Sequence, residues 1–352
     1  MAQVLHRVMA ATQYGASDMT RKPLLSLVTP AYNEAEGIQA FHARAQAVME
    51  SLDGLDYEMI YVDDGSRDDS FKIMSEFAAT NPRVKVVKFS RNFGHQIAIT
   101  AGLDHARGDA IVFIDADLQD PPELIHEMVT KWRDGFDVVY AKRARREGET
   151  KFKLWTAAMF YRLLRSLSNI DIPQDVGDFR LISARVANEL RAMREKDRFI
   201  RGLVSWVGFP QTFVLYDRDE RFAGETKYPL KKMLKFAFDG ITSFSNTPLK
   251  VATWMGYGAS ALAFLYLASV FVQWAFGITV EGWATMMVAM LFLGGVQLIC
   301  IGILGEYLGR IFNEIKPRPV YIVQEVASSA ETTTPDLDTT APMAAFAEHG
   351  RR

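Results

Sequence analysis

The first half of the chain breaks into short apolar runs, separated by stretches in which apolar residues recur every three or four positions. Leu24 to Val28 is one such run; it ends at Thr29-Pro30 and predicts a strand, with Ala31-Tyr32-Asn33-Glu34 as the loop behind it. Ile38, Phe41, Ala45 and Val48 then fall at helical spacing within 36–52. Tyr57 to Val62 predicts a second strand, which stops at Asp63-Asp64-Gly65-Ser66. A helix over 69–79, a third strand over Val84 to Phe89 and a helix over 94–107 follow, with Gly108 in the place of a helix C-cap. Ile111 to Ile114 is wholly apolar, as in a strand buried on both faces, and Pro121-Pro122 prevents its extension. Val138-Val139-Tyr140 predicts one more strand. Strands alternating with helices imply right-handed crossovers and an α/β fold with a doubly wound, mostly parallel sheet.

The pattern changes in the second half. Within 151–169, Leu154, Trp155, Ala158 and Tyr161 stand among Lys151, Lys153, Arg162 and Arg165, which suits either a membrane-surface helix or a core-facing one. Within 226–250, Leu230, Met233, Leu234, Phe236 and Phe238 interleave with Lys231, Lys232 and Lys235, which predicts amphipathic interface helices. Val251 to Phe276 and Trp283 to Gly305 carry no charge. At about 1.5 Å per residue, the first is ~39 Å long as a helix, enough to cross a ~30 Å hydrocarbon core with tilt. Trp274 and Trp283 mark the ends of the turn between them, where an aromatic belt would lie. Lys227, Lys231, Lys232, Lys235 and Lys250 precede this two-helix hairpin, Arg310, Lys316 and Arg318 follow it, and its turn has no Lys or Arg. That asymmetry predicts a multi-pass protein of the cytoplasmic membrane, with the large domain and the C-terminus in the cytoplasm. The resulting division is a flexible leader (1–22), a catalytic domain (23–225), interface helices (226–250), the transmembrane hairpin (251–309), a juxtamembrane segment (310–326) and a disordered tail (327–352).

Bulk composition adds exclusions. A net charge of -2 over 352 residues gives no general pull toward nucleic acid. The one cysteine, Cys300, rules out an intrachain disulfide. The chain has neither a G-x-G-x-x-G motif nor a P-loop, which argues against a dehydrogenase or a Walker-type ATPase.

The candidate chemistry sits at the strand ends. Asp115, Asp117 and Asp120 crowd the end of the fourth strand, and Asp63 and Asp64 that of the second. Asp115 and Asp117 point to one side of an extended chain, and Gln119 continues that side with a neutral carbonyl. Mg²⁺ or Mn²⁺ takes one or two carboxylates together with phosphate oxygens and water, so the pattern suits a metal–diphosphate site; the plain alternative is an acidic turn. Lys142, Arg143, Arg145 and Arg146 form a basic cluster whose plain reading is a solvated loop.

Seven ordered blocks carry a resemblance: PAYNE (30–34), VDDGSRDDS (62–70), SRNFGHQ (90–96), AGL (101–103), DADLQDPPE (115–123), GDFRL (177–181) and GETKY (224–228). Together with the two spans and GEYLGRIFNEIKPRPVYIV (305–323), the chain resembles the inverting family 2 glycosyltransferases of the GT-A fold. Within them it is most similar to polyprenyl-phosphate glycosyltransferases of the bacterial undecaprenyl-phosphate glucosyltransferase type, relatives of dolichol-phosphate mannose synthase. The resemblance implies that Pro30, Tyr32, Glu34, Asp63 and Asp64 hold the nucleoside. It implies that Asp115, Ala116 and Asp117 contact ribose and diphosphate, that Asp117 and Gln119 ligate the metal with Asp115 beside them, and that Arg143, Arg221 and Lys227 meet the phosphates. Asp178 takes the place of the base proposed in the bacterial relatives, and Arg198 and Arg201 would face the acceptor phosphate. A phosphate monoester has a second pKa near ~6, so its oxygen needs no strong base, and Asp178 reads as an orienting or metal-facing group.

The implied reaction is metal-dependent transfer of a sugar, glucose first, from a UDP-sugar to undecaprenyl phosphate for cell-envelope glycan modification. N-acetylglucosamine, galactose, mannose and aminoarabinose donors are the alternatives, as is a non-catalytic nucleotide-sugar-binding scaffold. A processive polysaccharide synthase would carry a Q-x-x-R-W block and more spans, and the chain has neither. Gly294, Gly295, Gly302 and Gly305 on the second span would permit close helix contact in a homo-oligomer.

Overall fold

The computed structural model describes residues 21–143, 176–196, 198–216, 247–277 and 282–329. The leader, the segment 144–175, the interface helices up to residue 246 and the tail from residue 330 lie outside the described residues. In chain order the elements are β1 (Leu24–Ala31), α1 (Ile38–Glu50), β2 (Asp56–Asp63), α2 (Ser70–Thr80), β3 (Val84–Phe89) and α3 (His95–His105). Next come β4 (Ala110–Phe113), a 3-10 turn at Pro122–Leu124, α4 (Ile125–Arg133), β5 (Val138–Arg143), β6 (Val176–Ser183), α5 (Ala184–Ala192), α6 (Ile200–Trp206) and β7 (Gln211–Tyr216). Two long helices, α7 (Thr247–Ala275) and α8 (Trp283–Ile315), precede β8 (Val323–Ser328).

The strands form one eight-stranded sheet in the order β7-β5-β6-β4-β1-β2-β3-β8. β3, β2, β1 and β4 run parallel, as the alternating pattern predicts. β6 inserts antiparallel between β4 and β5, and β8 closes the far edge antiparallel to β3. Each face of the sheet has its own core. Phe41, Met74 and Met128 from α1, α2 and α4 pack on one side. Leu103, Leu190 and Leu203 from α3, α5 and α6 pack on the other. This is the doubly wound arrangement.

Three sequence expectations are corrected. Gly108 is not the C-cap of α3, which ends at Ala106 in an extended conformation. Gly108 is instead required by close packing: a Cβ there would lie 2.5 Å from the Ala110 carbonyl oxygen and 2.6 Å from Ser26 Oγ. The second apolar helix continues ten residues past Gly305, to Ile315. The uncharged run ends there but the helical pattern does not, because Glu306 and Arg310 pair at i,i+4, 3.1 Å apart. The tail boundary at 327 falls inside β8, whose Ala327 pairs with Val86 and whose Ser328 pairs with Lys85.

α7 and α8 are long and apolar enough to cross a membrane, and their apolar surface faces outward: Trp254, Phe264, Leu291 and Leu298 are each largely exposed.

Candidate active site

Strand register brings the acidic ends together. Asp63 pairs with Ala31, and Phe113 pairs with Val28 in parallel and with Arg180 in antiparallel. Two residues further along, Asp115 comes level with Pro30 on one side and Asp178 on the other. Both carboxylates thus stand at the carboxyl edge of the parallel strands, where open α/β sheets bind ligands.

The loops above this edge are tied to one another by backbone amides. Asn33, in the left-handed region at φ 55, donates its N–H to Ser66 Oγ (3.0 Å) and accepts from the Arg67 amide through Oδ1 (2.9 Å). The Glu34 amide donates to Ser70 Oγ at 2.8 Å, which joins the loop after β1 to the start of α2. Asp63 is buried and accepts from the Ser66 amide; burial raises its pKa more than those bonds lower it. Asp64, also buried, accepts from the amides of Phe93 (2.6 Å) and Gly94 (2.9 Å). It therefore anchors the turn that launches α3. Tyr32 remains exposed on the rim, and Pro30 is buried beneath it.

α3 delivers two side chains that the sequence reading did not single out. His95 Nε2 lies 3.5 Å from Asp115 Oδ1 and 3.3 Å from Asp178 Oδ2, bridging the two carboxylates. Gln96 donates to Asp178 Oδ2 at 3.3 Å and accepts the Ile200 amide at 3.0 Å. α3 reaches this position because Gly102 lets it lie directly on β1; a Cβ there would fall 2.1 Å from Val28 Cγ1. Their signal in the sequence was the glycine before a helix start, followed by polar residues in the first turn.

Asp178 is the most heavily ligated group. Arg201 meets both its oxygens, at 2.8 and 2.9 Å, and Arg180 approaches Oδ1 at 3.4 Å. Burial alone would raise its pKa, but hydrogen bonds from His95 and Arg201 and the charge of Arg180 hold it well below the usual carboxylate range. Arg180 is fully buried, the largest side chain to be so among the described residues.

Asp115 is the opposite case. Burial pushes its pKa up to about 6, opposed by His95 and reinforced by Asp178, Asp117 and Asp120. Asp117 accepts the Gln119 amide at 3.1 Å across Leu118, which takes φ 60. Ala116, buried, faces Gly37 of the neighbouring loop. Tyr216 donates to buried Asp120. Arg143 stands opposite Tyr216 in the β5–β7 register and hydrogen-bonds it, with its Nε buried and without a partner.

The residues present fit a divalent cation shared with a ligand. Among the described residues no three His, Cys, Asp or Glu side chains close into a cage. Asp115 and Asp117 offer two carboxylates; burial is the main cause of the raised pKa of Asp115, and the nearby charges of Asp178, Asp117 and Asp120 add a repulsion that a cation would relieve.

Arg198 is not brought to this cluster. It is buried, donates to the Leu190 carbonyl, and is surrounded by Asp104, Arg194, Glu195 and Tyr321. Arg221 and Lys227 lie outside the described residues.

The chain is similar to known proteins over most of its length. Residues 26–191 match the model for glycosyl transferase family 2, and residues 247–311 match that for the GtrB C-terminal hairpin. The glycosyltransferase YkcC of Bacillus subtilis (strain 168) is 54% identical over 308 residues, covering 87% of this chain and 95% of that protein. The prophage bactoprenol glucosyl transferase homolog of Escherichia coli (strain K12) is 43% identical over 303 residues, covering 86% of this chain and 99% of that protein. Among solved structures, glucosyl-3-phosphoglycerate synthase from Mycobacterium tuberculosis, in complex with Mn²⁺, UDP-glucose and phosphoglyceric acid, is a more distant likeness. It superposes with a TM-score of 0.43 at 19% identity, over 62% of this chain and 78% of that one.

Proposed function

The chain belongs to glycosyltransferase family 2, and from that premise we propose that it transfers glucose from UDP-glucose to undecaprenyl phosphate at the cytoplasmic face of the membrane, with inversion. The observation that carries this reading is the 43% identity, over nearly its whole length, to a relative named for bactoprenol glucosyl transfer. The apolar hairpin that follows the catalytic domain supports a lipid acceptor, and the lysines and arginines flanking it support a cytoplasmic orientation.

In the proposed reaction an oxygen of the acceptor phosphate attacks the anomeric carbon. The bond from that carbon to the UDP oxygen breaks, and UDP leaves with the electron pair. Pro30, Tyr32, Glu34 and Asp63 line the nucleoside side of the crevice. Mg²⁺ or Mn²⁺ held by Asp115, Asp117 and Gln119 would neutralise charge on the leaving diphosphate. Arg143, Arg221 and Lys227 add fixed positive charge on the phosphates. Asp178, saturated by Arg201, Gln96, Arg180 and His95, is a poor proton acceptor. It holds Arg201 toward the acceptor phosphate, which arrives already ionised. Open space around Gly294, Gly295, Gly302 and Gly305 on α8 supports close packing against a second copy.

The test is purified protein with labelled UDP-glucose, undecaprenyl phosphate and either Mg²⁺ or Mn²⁺. Labelled lipid that forms only with a divalent cation supports the reading. UDP-N-acetylglucosamine, UDP-galactose, GDP-mannose and a UDP-aminoarabinose derivative serve as competing donors. Faster transfer from one of these changes the sugar, and no lipid product from any of them overturns the reaction.

A further inference from the structure

The carboxyl end of α8 is where the hairpin rejoins the catalytic domain. The last carbonyls of a helix lack partners within it and carry partial negative charge. Lys196 meets that end directly. Its ammonium donates to the carbonyl oxygens of Asn313 (2.6 Å), Glu314 (3.1 Å) and Lys316. Its own amide donates back to Glu314 Oε2 at 3.1 Å. One side chain from the catalytic domain thus caps the final turn of a 33-residue helix.

Lys196 is also close in sequence to the arginine that holds Asp178. Five residues on, Arg201 grips Asp178, and between them the Ile200 amide is bound by Gln96, which itself donates to Asp178. A short strap therefore runs from the end of the apolar helix to the group that orients the acceptor. Beyond α8, Tyr321 stacks on Phe89 and donates to Asp104, so the chain is tied to the sheet edge again by β8. Residues 317–320 separate those two attachments, and among the described residues Lys196 joins the strap to the helix end itself.

We propose that Lys196 is a positioning residue that sets the height and tilt of the catalytic crevice relative to the bilayer, so that a phosphate on a membrane-embedded chain meets the face formed by Asp178 and Arg201. The proposal rests on the lipid-acceptor reading given above. The contacts of Lys196 are with the end of α8, so its removal is expected to act on the encounter with a bilayer-bound acceptor and not on the chemistry.

The experiment compares Lys196→Met and Lys196→Arg with the full-length wild-type chain. The acceptors are undecaprenyl phosphate in vesicles and a short, water-soluble prenyl phosphate. Lys196→Met is expected to raise KM for the vesicle-bound acceptor about 10-fold, the scale of a small misplacement. KM for UDP-glucose and turnover of the soluble acceptor should stay within about two-fold. Lys196→Arg should restore most of the loss. Equal losses on both acceptors, or no loss, overturn the proposal. A second measurement needs no activity. Spin labels at Glu76→Cys on α2 and Leu291→Cys on α8, in a Cys300→Ala background, report the domain–hairpin distance. Lys196→Met should broaden that distribution, and an unchanged one overturns the proposal even if the chain transfers no sugar to any lipid.

Discussion

Arg201 holds both oxygens of Asp178, with Nε 2.8 Å from Oδ1 and Nη2 2.9 Å from Oδ2. A carboxylate so engaged is a weak base, and this decides between two roles for it. If Asp178 orients Arg201, Asp178→Asn should cut kcat by roughly 10- to 100-fold, an orientation-sized loss. The loss should be the same from pH 7 to pH 9, with UDP-glucose binding retained. Recovery of rate as pH rises would instead identify Asp178 as the proton acceptor.

His95 and Asp178 also set opposite slopes of stability against pH in protein free of divalent cation. Burial lowers the pKa of His95, but its hydrogen bond to Asp178 and the charges of Asp115 and Asp178 outweigh this and leave it above the usual 6.5. Its contribution is therefore full below 6.5 and is lost as pH rises through the folded value. The pKa of Asp178 is lowered, so its contribution is full above the usual 3.8 and is lost as pH falls toward the folded value. Thermal melts of His95→Gln should match wild type more closely on the alkaline side than near pH 5–6. A His95→Gln deficit that grows with rising pH would contradict this charge arrangement.

Gly102 carries the packing that places His95. Gly102→Ala puts a methyl 2.1 Å from Val28 Cγ1 and should destabilise the domain by about 1–3 kcal/mol, the usual cost of overpacking. The companion change Val28→Ala should recover part of this in the double variant. Chemical denaturation of the four proteins measures the coupling. Simple additivity would mean that the strain is relieved elsewhere.

How much of this could be read beforehand follows from which interactions are local. The strands that carry Asp63 and Asp115 announce themselves, because a strand buried on both faces must be apolar along its length and its polar end then stands out. β6 does not, because its segment, VGDFRLIS, contains Asp178 and Arg180, charges that only a specific pairing allows to be buried. β8 is an edge strand defined by its partner β3, and its own composition resembles a tail. His95 and Gln96 gain their role from contacts with residues 20 to about 100 positions away, which no local pattern records. Arg198 and Arg201 share one short motif, yet the turn into α6 buries the first and directs the second to Asp178.

Asp120 and Tyr216 offer a test at the far end of the acidic loop. Tyr216 donates to buried Asp120, and Asp120 ends the acidic loop that bears Asp115 and Asp117. Tyr216→Phe removes a donor from a buried carboxylate, which costs about 1–3 kcal/mol, and it frees the loop that would hold the cation. The expected outcome is a several-fold weaker apparent affinity for Mn²⁺, with KM for the lipid acceptor unchanged. Titration of Mn²⁺ against rate measures it, and an unaltered Mn²⁺ dependence would separate Asp120 from the metal-facing loop.

The orientation of the hairpin is the remaining physical commitment. Positive charge flanks both outer ends of α7 and α8, and the intervening turn has no lysine or arginine, so moving the turn across the membrane carries the smaller penalty. In a Cys300→Ala background, Thr279→Cys in that turn should react with a membrane-impermeant thiol reagent in intact cells. Ser75→Cys on α2 should react only after permeabilisation. The converse pattern would put the crevice on the outer face, away from a cytoplasmic pool of nucleotide sugar, and would remove the donor from the proposed reaction. Labelling of both positions in intact cells would mean that the two helices do not form a spanning hairpin, and a lipid-embedded acceptor would then lose its structural support.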